Sequence, residues 1–185
     1  MNTKQTMNLI FKPADAIHRD LIHRWLKQDY IAEWIHGVGL QSTLTGLEKW
    51  IDYSAQNKTT DRTLTLTQHW VGYDGKIPFV YLLTSNVDKH SDSVYANHTQ
   101  QTGSVITLDI FIGNTDYLGK GIAVATIQTF LSDHFSDVAE IFIDPEKTNA
   151  RAVHVYQKTG FSIVDEFIAP WHPVPHYLMH RLMSH

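Results

Sequence analysis

The sequence predicts an α/β (α+β) protein in which a mixed, mostly antiparallel central sheet is flanked by helices. Three observations indicate this: amphipathic helices come first, a β-hairpin follows, and strands then alternate with helices. The chain has 185 residues, the size of one domain, so we expect a single domain over residues 1–185. Hydrophobic residues make up 43% and charged residues 18%, which indicates a globular chain rather than a disordered one.

The composition excludes several kinds of site and partner. Without cysteine there is no disulfide scaffold, no Cys-ligated zinc and no cysteine nucleophile. A net charge of −4 and the absence of basic runs argue against nucleic acid as a partner. No apolar run reaches the length of a membrane span, and the N-terminus lacks a secretory segment. We therefore expect a cytoplasmic protein without a membrane partner.

The 12 histidines raise the question of a metal site. His172, His176 and His180 have a spacing of four, which would align them on a helix. Prolines at 170, 173 and 175 interrupt any regular helix there, so we expect no metal site.

The N-terminal part is predicted to hold two helices. Residues 14–28 have an amphipathic period, and residues 29–42 lose it, which predicts a loop with a short helical turn. A second helix is predicted from Thr45 to about residue 56, with Thr43 or Thr45 as its cap.

The middle of the chain is predicted to form three antiparallel strands. Residues 63–72 and 77–84 are joined by an Asp-Gly turn at 73–76. Residues 85–103 are polar and predict a long loop, either functional or mobile, and 104–112 form the next strand. Helices and strands then alternate, at 122–131 (helix), 138–143 (strand), 149–159 (helix, closed by Gly160), 161–168 (strand) and 176–183 (strand).

The segment DIFIGNTDYLGKGIA (109–123) is a strand, a glycine-bearing turn and a helix start. The first N–H groups of a helix have no acceptor within it, and the helix dipole attracts anions such as phosphate. The groups concerned are those of Gly119, Lys120, Gly121, Ile122 and Ala123. An ordinary strand-to-helix turn is the alternative interpretation; the spacing fits neither a Walker A loop nor a Rossmann turn.

A second segment, NARAVHVYQKTGF (149–161), predicts a helix with small and aromatic side chains close together. Ala152 would allow a ligand to approach, and Tyr156 lies one turn further on the same face. A helix packed on the core, with a buried tyrosine, is the alternative.

Together, LGKGIA and the later NARAVHVYQKTGF resemble the acetyl-CoA motifs of the GCN5-related N-acetyltransferase (GNAT) superfamily. The chain looks most similar to the aminoglycoside 6′-N-acetyltransferase branch, which also reads LGKG. The resemblance implies a GNAT fold with acetyl-CoA as co-substrate, its pyrophosphate on the turn and its pantetheine arm along the later helix. Gly121 and Ala123 match the family turn, but Leu118 replaces its usual Arg or Gln.

The resemblance also implies roles for individual residues. Asp109, an ionisable residue in the middle of a strand, would be the base, and a solvent-facing strand residue is the alternative. Tyr156 would be the general acid to the leaving sulfur, or else a packing residue. Asn149 would contact pantetheine or merely cap its helix. The full expected set for acetyl-CoA is Ile110, Phe111, Ile112, Leu118, Gly119, Lys120, Gly121, Ile122, Ala123, Asn149, Ala152 and Tyr156.

An aminoglycoside is polycationic, so its site needs carboxylates and flat apolar surface. The candidate substrate residues are Glu33, Trp34, Asp92, Tyr95 and Asp109. Two other functions stay open: the same chemistry on another small-molecule or peptidyl amine, such as a siderophore precursor or a protein N-terminus, and a CoA-binding module without turnover.

Overall fold

Seven strands and six α-helices make up the part of the chain that the structure, a computed structural model, describes: residues 7–56 and 67–183. The strands are β1 (Leu9–Pro13), β2 (Gln68–Asp74), β3 (Ile77–Asn86), β4 (Val105–Ile112), β5 (Glu140–Ile143), β6 (Ser162–Ile168) and β7 (Pro175–Leu182). The helices are α1 (Arg19–Leu26), α2 (Asp29–Ala32), α3 (Gly37–Gln56), α4 (Val94–His98), α5 (Ala123–His134) and α6 (Ala150–Lys158).

The strands form one sheet in the order β1-β2-β3-β4-β5-β7-β6. Every neighbouring pair is antiparallel except β4 and β5, which are parallel, so the predicted mixed and mostly antiparallel sheet is confirmed. β4 pairs with β5 only where Val105–Thr107 face Glu140–Phe142. Beyond that point the two strands separate, and the rest of β4 is paired on one side only, with β3.

Helices cover both faces of the sheet. Helices α1, α2 and α3 pack on one face of the sheet, against Val71, Tyr81 and Leu83. Helices α5 and α6 pack on the other face, against Leu82 and Leu108. Since side chains alternate along a strand, Asp109 points to the same side as Leu83, which is its partner in the register of β3 and β4.

Several predicted elements are confirmed with small changes at their ends. The β2–β3 turn contains Gly75 at φ +60°, and α6 is closed by Gly160 at φ +89°. The first helix begins as a 3₁₀ turn at Ala16–His18, because Asp15 accepts the N–H of Ile17, and continues as α1. Residues 63–66 of the strand predicted over 63–72 lie outside the described residues.

The short helical turn expected within residues 29–42 is α2, but the predicted start of the next helix was wrong. Helix α3 already begins at Gly37, so Thr43 and Thr45 lie inside it and do not cap it. The glycines of this region obscure the helical period in the sequence. The helix is stabilised by packing of Leu47, Trp50 and Ile51 on the sheet. The sequence reasoning also missed β1, a short edge strand that pairs antiparallel with β2.

The loop predicted over 85–103 is shorter than expected and partly helical. β3 extends to Asn86, and the hydroxyl of Ser93 accepts the N–H of Ala96 to begin α4. Within the described residues, no helix combines the length and apolar character that crossing a membrane requires.

Candidate active site

A cavity of about 1040 Å³ opens where β4 and β5 separate. The end of β4, the turn before α5 and one face of α6 form one part of its wall. The α2–α3 segment, the residues before and within α4, and the β6–β7 connection form the rest. The cavity thus joins most of the predicted acetyl-CoA residues to three of the five predicted amine residues.

The glycine turn faces this cavity through Leu118, Gly119, Gly121, Ile122 and Ala123. Gly119 and Gly121 have φ values of +72° and +68°, a region that side chains rarely adopt. A Cβ atom placed on either would meet nothing within 4 Å, so the turn is open on this side.

The first hydrogen bond of α5 runs from the N–H of Thr126 to the carbonyl of Ile122, so the N–H groups just before it have no acceptor within the helix. Such donors at an open helix start fit a phosphate-bearing ligand. Lys120 does not line the cavity: its Nζ lies 5.7 Å from the centre of the Tyr117 ring.

Asp109 lies in β4 just beyond the last residue pair with β5, and its side chain is exposed to the cavity. Because the cavity is deep, burial raises the pKa of Asp109 from 3.8 to about 6. A carboxylate with such a pKa is still ionised at neutral pH and is a better proton acceptor than an ordinary aspartate. Ile110, Phe111 and Ile112 continue β4, which confirms the predicted strand, and they line the cavity.

The structure adds a second carboxyl group, that of Asp144, which the sequence analysis did not single out. Burial and the charge of Asp109 raise the pKa of Asp144 well above its usual value. Its Oδ1 accepts a hydrogen bond of 2.9 Å from the hydroxyl of Tyr95, which α4 carries. A polar residue directly after a short buried strand was the signal that could have identified it.

Tyr156, on α6, lines the same cavity and is 92% buried, with 8% of its surface exposed. Burial, and after it the charges of Asp109 and Asp144, raise the pKa of Tyr156. The hydroxyl therefore keeps its proton at neutral pH and can donate it. Asn149 caps α6 by accepting the N–H of Ala152 at 3.1 Å, and both residues also line the cavity, so capping and ligand contact are compatible.

The predicted amine-binding residues divide into two groups. Trp34, Tyr95 and Asp109 line the cavity, whereas Glu33 and Asp92 are exposed and are not among the described residues that line it.

The sequence reasoning missed a group of side chains at the end of the cavity near Trp34. Nε2 of His172 lies 3.3 Å from Oε2 of Glu146, and the ring of His36 stands perpendicular to that of His172 at 4.4 Å. Trp171 lines the cavity beside them. No three of the described histidine and acidic side chains are arranged to hold a metal ion, so flat rings and a carboxylate are what this end offers a ligand.

The fold and the site together define an acyl-transferase class: a sheet that opens at a parallel strand pair, a glycine turn open to the cavity, and a carboxylate that faces the same cavity. The model of the acetyltransferase (GNAT) domain matches residues 15–168. The chain belongs to this family of acetyltransferases, as the sequence motifs predicted.

Comparisons with individual proteins give the same family. An aminoglycoside N(6′)-acetyltransferase type 1 from Klebsiella pneumoniae is 27% identical over 145 residues, which are 76% of this chain and 67% of the relative. The crystal structure of an aminoglycoside N(6′)-acetyltransferase from Legionella pneumophila is 39% identical, with a TM-score of 0.79 over 98% of this chain and 96% of that one. The fold is also that of aminoglycoside acetyltransferase AAC(6′)-Ib in complex with coenzyme A and kanamycin, at 20% identity, a TM-score of 0.70 and 94% coverage of each chain.

Proposed function

We propose that this protein transfers the acetyl group of acetyl-CoA to the 6′-amine of an aminoglycoside. The observation that carries the proposal is the position of Asp109, in the middle of a strand and at the point where β4 and β5 open into the cavity. The 39% identity to the Legionella protein over nearly the whole chain supports this substrate class.

The acetyl-CoA end of the site follows from the glycine turn and α6. The N–H groups of residues 119–123 would bind the pyrophosphate, and Asn149 and Ala152 would contact the pantetheine arm. Leu118 lines the cavity without a charge, so the backbone carries most of the binding there. Acetyl-CoA, when bound, supplies the acetyl group as a thioester.

The amine end is shaped for a cation. Burial raises the pKa of both Asp109 and Asp144, so a positively charged amine beside them would lower both pKa values and stabilise the ionised forms. Trp34 and Trp171 offer flat surfaces to a sugar ring, and Glu146 adds a third carboxylate at the far end.

Three groups of the chain carry the reaction. Asp109 accepts the proton that the ammonium must lose, directly or through a water molecule. An N–H of the Ile110–Ile112 edge, which β5 leaves unpaired, polarises the thioester carbonyl. As the new C–N bond forms and the C–S bond breaks, Tyr156 gives its proton to the leaving sulfur and regains one from solvent.

The test is release of the CoA thiol from acetyl-CoA by the purified protein. The acceptors are kanamycin, tobramycin, an aminoglycoside without a 6′-amine, polyamines, hydroxamate precursors and short peptides. We expect turnover only with the 6′-amino drugs, at a kcat/KM of about 10⁴ M⁻¹s⁻¹ or above. Turnover confined to another amine would overturn the substrate, and binding of acetyl-CoA without any turnover would favour the non-catalytic module.

A further inference from the structure

Residues 87–104, between β3 and β4, form one side wall of the cavity; we call them the acceptor loop. Val87, Asp88, Ser91, Ser93 and Tyr95 of this loop line the cavity. Its most direct link to the chemistry is the hydroxyl of Tyr95, which donates to Asp144 at 2.9 Å. The position of the acceptor loop therefore determines how Asp144 is held.

The buried carboxylate of Glu140 holds the acceptor loop near the loop's C-terminal end. This residue is the first of β5, and its surface is 0% exposed. Its Oε1 accepts the backbone N–H of Gln100 at 2.8 Å and also that of Gln101. The loop is thus bound through its backbone five and six residues after Tyr95.

The other oxygen of Glu140 is held by a histidine from the next strand. Nε2 of His180, on β7, lies 2.7 Å from Oε2 of Glu140, and the His180 side chain is 5% exposed. Within the described residues, neither of these two atoms has a hydrogen-bond partner, so the pair is a close contact whose geometry is not that of a hydrogen bond. The ring of Phe142 stacks on that of His180, with centroids 4.6 Å apart and planes 16° apart, which fixes the imidazole in place.

A carboxylate in such a position is costly unless every oxygen has a partner, and an apolar side chain of similar size is often at least as stabilising. What the carboxylate adds is a fixed position for the loop, because its two hydrogen bonds from backbone amides hold the loop backbone in place. Backbone hydrogen bonds also hold the two ends of the loop, from the N–H of Val87 to Val105 and from the N–H of Ala139 to Ser104. The contacts between these ends include the pair of His98 and Asp165 at 3.1 Å and packing of Val94 on the cluster that contains Phe142.

We propose that Glu140 is a positioning residue for the amine acceptor, acting through the acceptor loop and Tyr95 on Asp144. The proposal rests on the proposed function only for the identity of the amine. It assigns a role in acceptor binding to a residue that does not line the cavity.

The test measures the KM for the amine and the KM for acetyl-CoA separately in a Glu140 variant. Glu140→Gln keeps the size and one acceptor oxygen but removes the negative charge, so the bonds from the amides of Gln100 and Gln101 lose their charge-assisted strength. We expect the KM for the amine to rise about tenfold while the KM for acetyl-CoA stays within about twofold. A rise of both KM values by the same factor, or an unchanged amine KM, would overturn the proposal.

A double variant tests the route through Tyr95. Tyr95→Phe removes the donor to Asp144 and should raise the amine KM as well. If Glu140 acts through this contact, the double variant Glu140→Gln/Tyr95→Phe should be no worse than the more severe single variant. Independent, multiplicative effects would contradict the proposal.

Glu166→Gln is the matched control, because it removes a carboxylate from an exposed pair with Lys147 at 2.7 Å that lies outside the acceptor loop. We expect both KM values to stay the same. A tenfold rise in its amine KM would mean that loss of any carboxylate in this part of the sheet has the effect attributed to Glu140, and the proposal would fail.

Hydrogen exchange on the unaltered protein covers the case in which Glu140→Gln does not fold. The amides of Gln100 and Gln101 should exchange about 100-fold more slowly than those of the adjacent exposed residues Thr102 and Gly103. Equal rates would overturn the proposal whatever the substrate. If instead the protein acetylates an amine other than an aminoglycoside, the proposed function fails, and the KM comparison is made with that amine.

Discussion

Replacing Asp109 by asparagine should make the protein more stable while nearly abolishing its activity. Burial raises the pKa of Asp109 from 3.8 to about 6, so folding places an ionised carboxylate in a position that disfavours its charge. Asparagine has almost the same shape and no charge. The variant therefore removes a destabilising term together with the proposed base.

The magnitude follows from the shift. A change of about two pKa units corresponds to about 3 kcal/mol at 1.36 kcal/mol per unit. Because the side chain is exposed to water in the cavity, screening reduces this, and we expect a gain of about 1 to 2 kcal/mol in the free energy of unfolding. For a chain of this size that is an increase in Tm of about 3 to 6 °C.

The pH dependence has a definite sign. Above pH 6 the carboxylate is ionised in both the folded and the unfolded protein, and the destabilisation of the wild type is complete. As the pH falls from about 6 towards 4, the folded protein takes up the proton first, so the destabilisation disappears. The difference in Tm between the variant and the wild type should be largest above pH 7 and close to zero near pH 4.

The assays are thermal unfolding from pH 4 to 8 and CoA-thiol release at pH 7.5. Turnover of Asp109→Asn should fall by about 10²–10⁴-fold with little change in acetyl-CoA affinity. Asp133→Asn, on the exposed side of α5, is the control and should change neither property. A variant no more stable than the wild type at pH 7.5, or a stability gain independent of pH, would refute the reasoning about burial. Undiminished turnover would refute the role as base.

Further outcomes follow from the same geometry. In the wild type, kcat/KM should decline below about pH 6, where Asp109 becomes protonated; a flat profile down to pH 5 would exclude it as the base. Gly121→Ala should raise the KM for acetyl-CoA several-fold, because alanine at φ +68° costs about 1 kcal/mol or more in backbone strain. Gly75→Ala is the control: at φ +60° it has the same strain, but it does not line the cavity and should leave that KM unchanged. Gly113→Ala should destabilise the fold by about 1–3 kcal/mol or more in a denaturant titration, because its Cβ would lie 2.0 Å from Cδ2 of Trp25; an unchanged midpoint would contradict this close approach. Tyr156→Phe should lower kcat less severely than Asp109→Asn, and a loss confined to acetyl-CoA affinity would make Tyr156 a packing residue.

The sequence predicted the elements whose pattern is local. The Asp-Gly turn, the strand containing Asp109 and the glycine turn before α5 each have a period or a residue type that depends only on near neighbours. The start of α3 was not predictable in this way, since Gly37 and Gly39 resemble a loop and the helix is stabilised by Leu47, Trp50 and Ile51 packing on the sheet. Such packing depends on strands that lie far away in the sequence.

The candidate site divides in the same manner. Asp109 could be identified because a charged residue is unusual in the middle of a strand. Asp144 had only the weaker signal of a polar residue after a buried strand, because its importance depends on where β5 lies: next to β4 in parallel, and diverging from it after three residue pairs. That arrangement places Asp144, which follows the end of a buried strand, beside Asp109. It also brings Tyr95 of the acceptor loop within hydrogen-bond distance of Asp144. The residues proposed to bind acetyl-CoA lie in three short segments that each have a recognisable pattern. Those proposed to hold the amine come from the segments after α2 and after β5, from α4 and from the β6–β7 connection, so the amine site depends on tertiary contacts that no single segment contains.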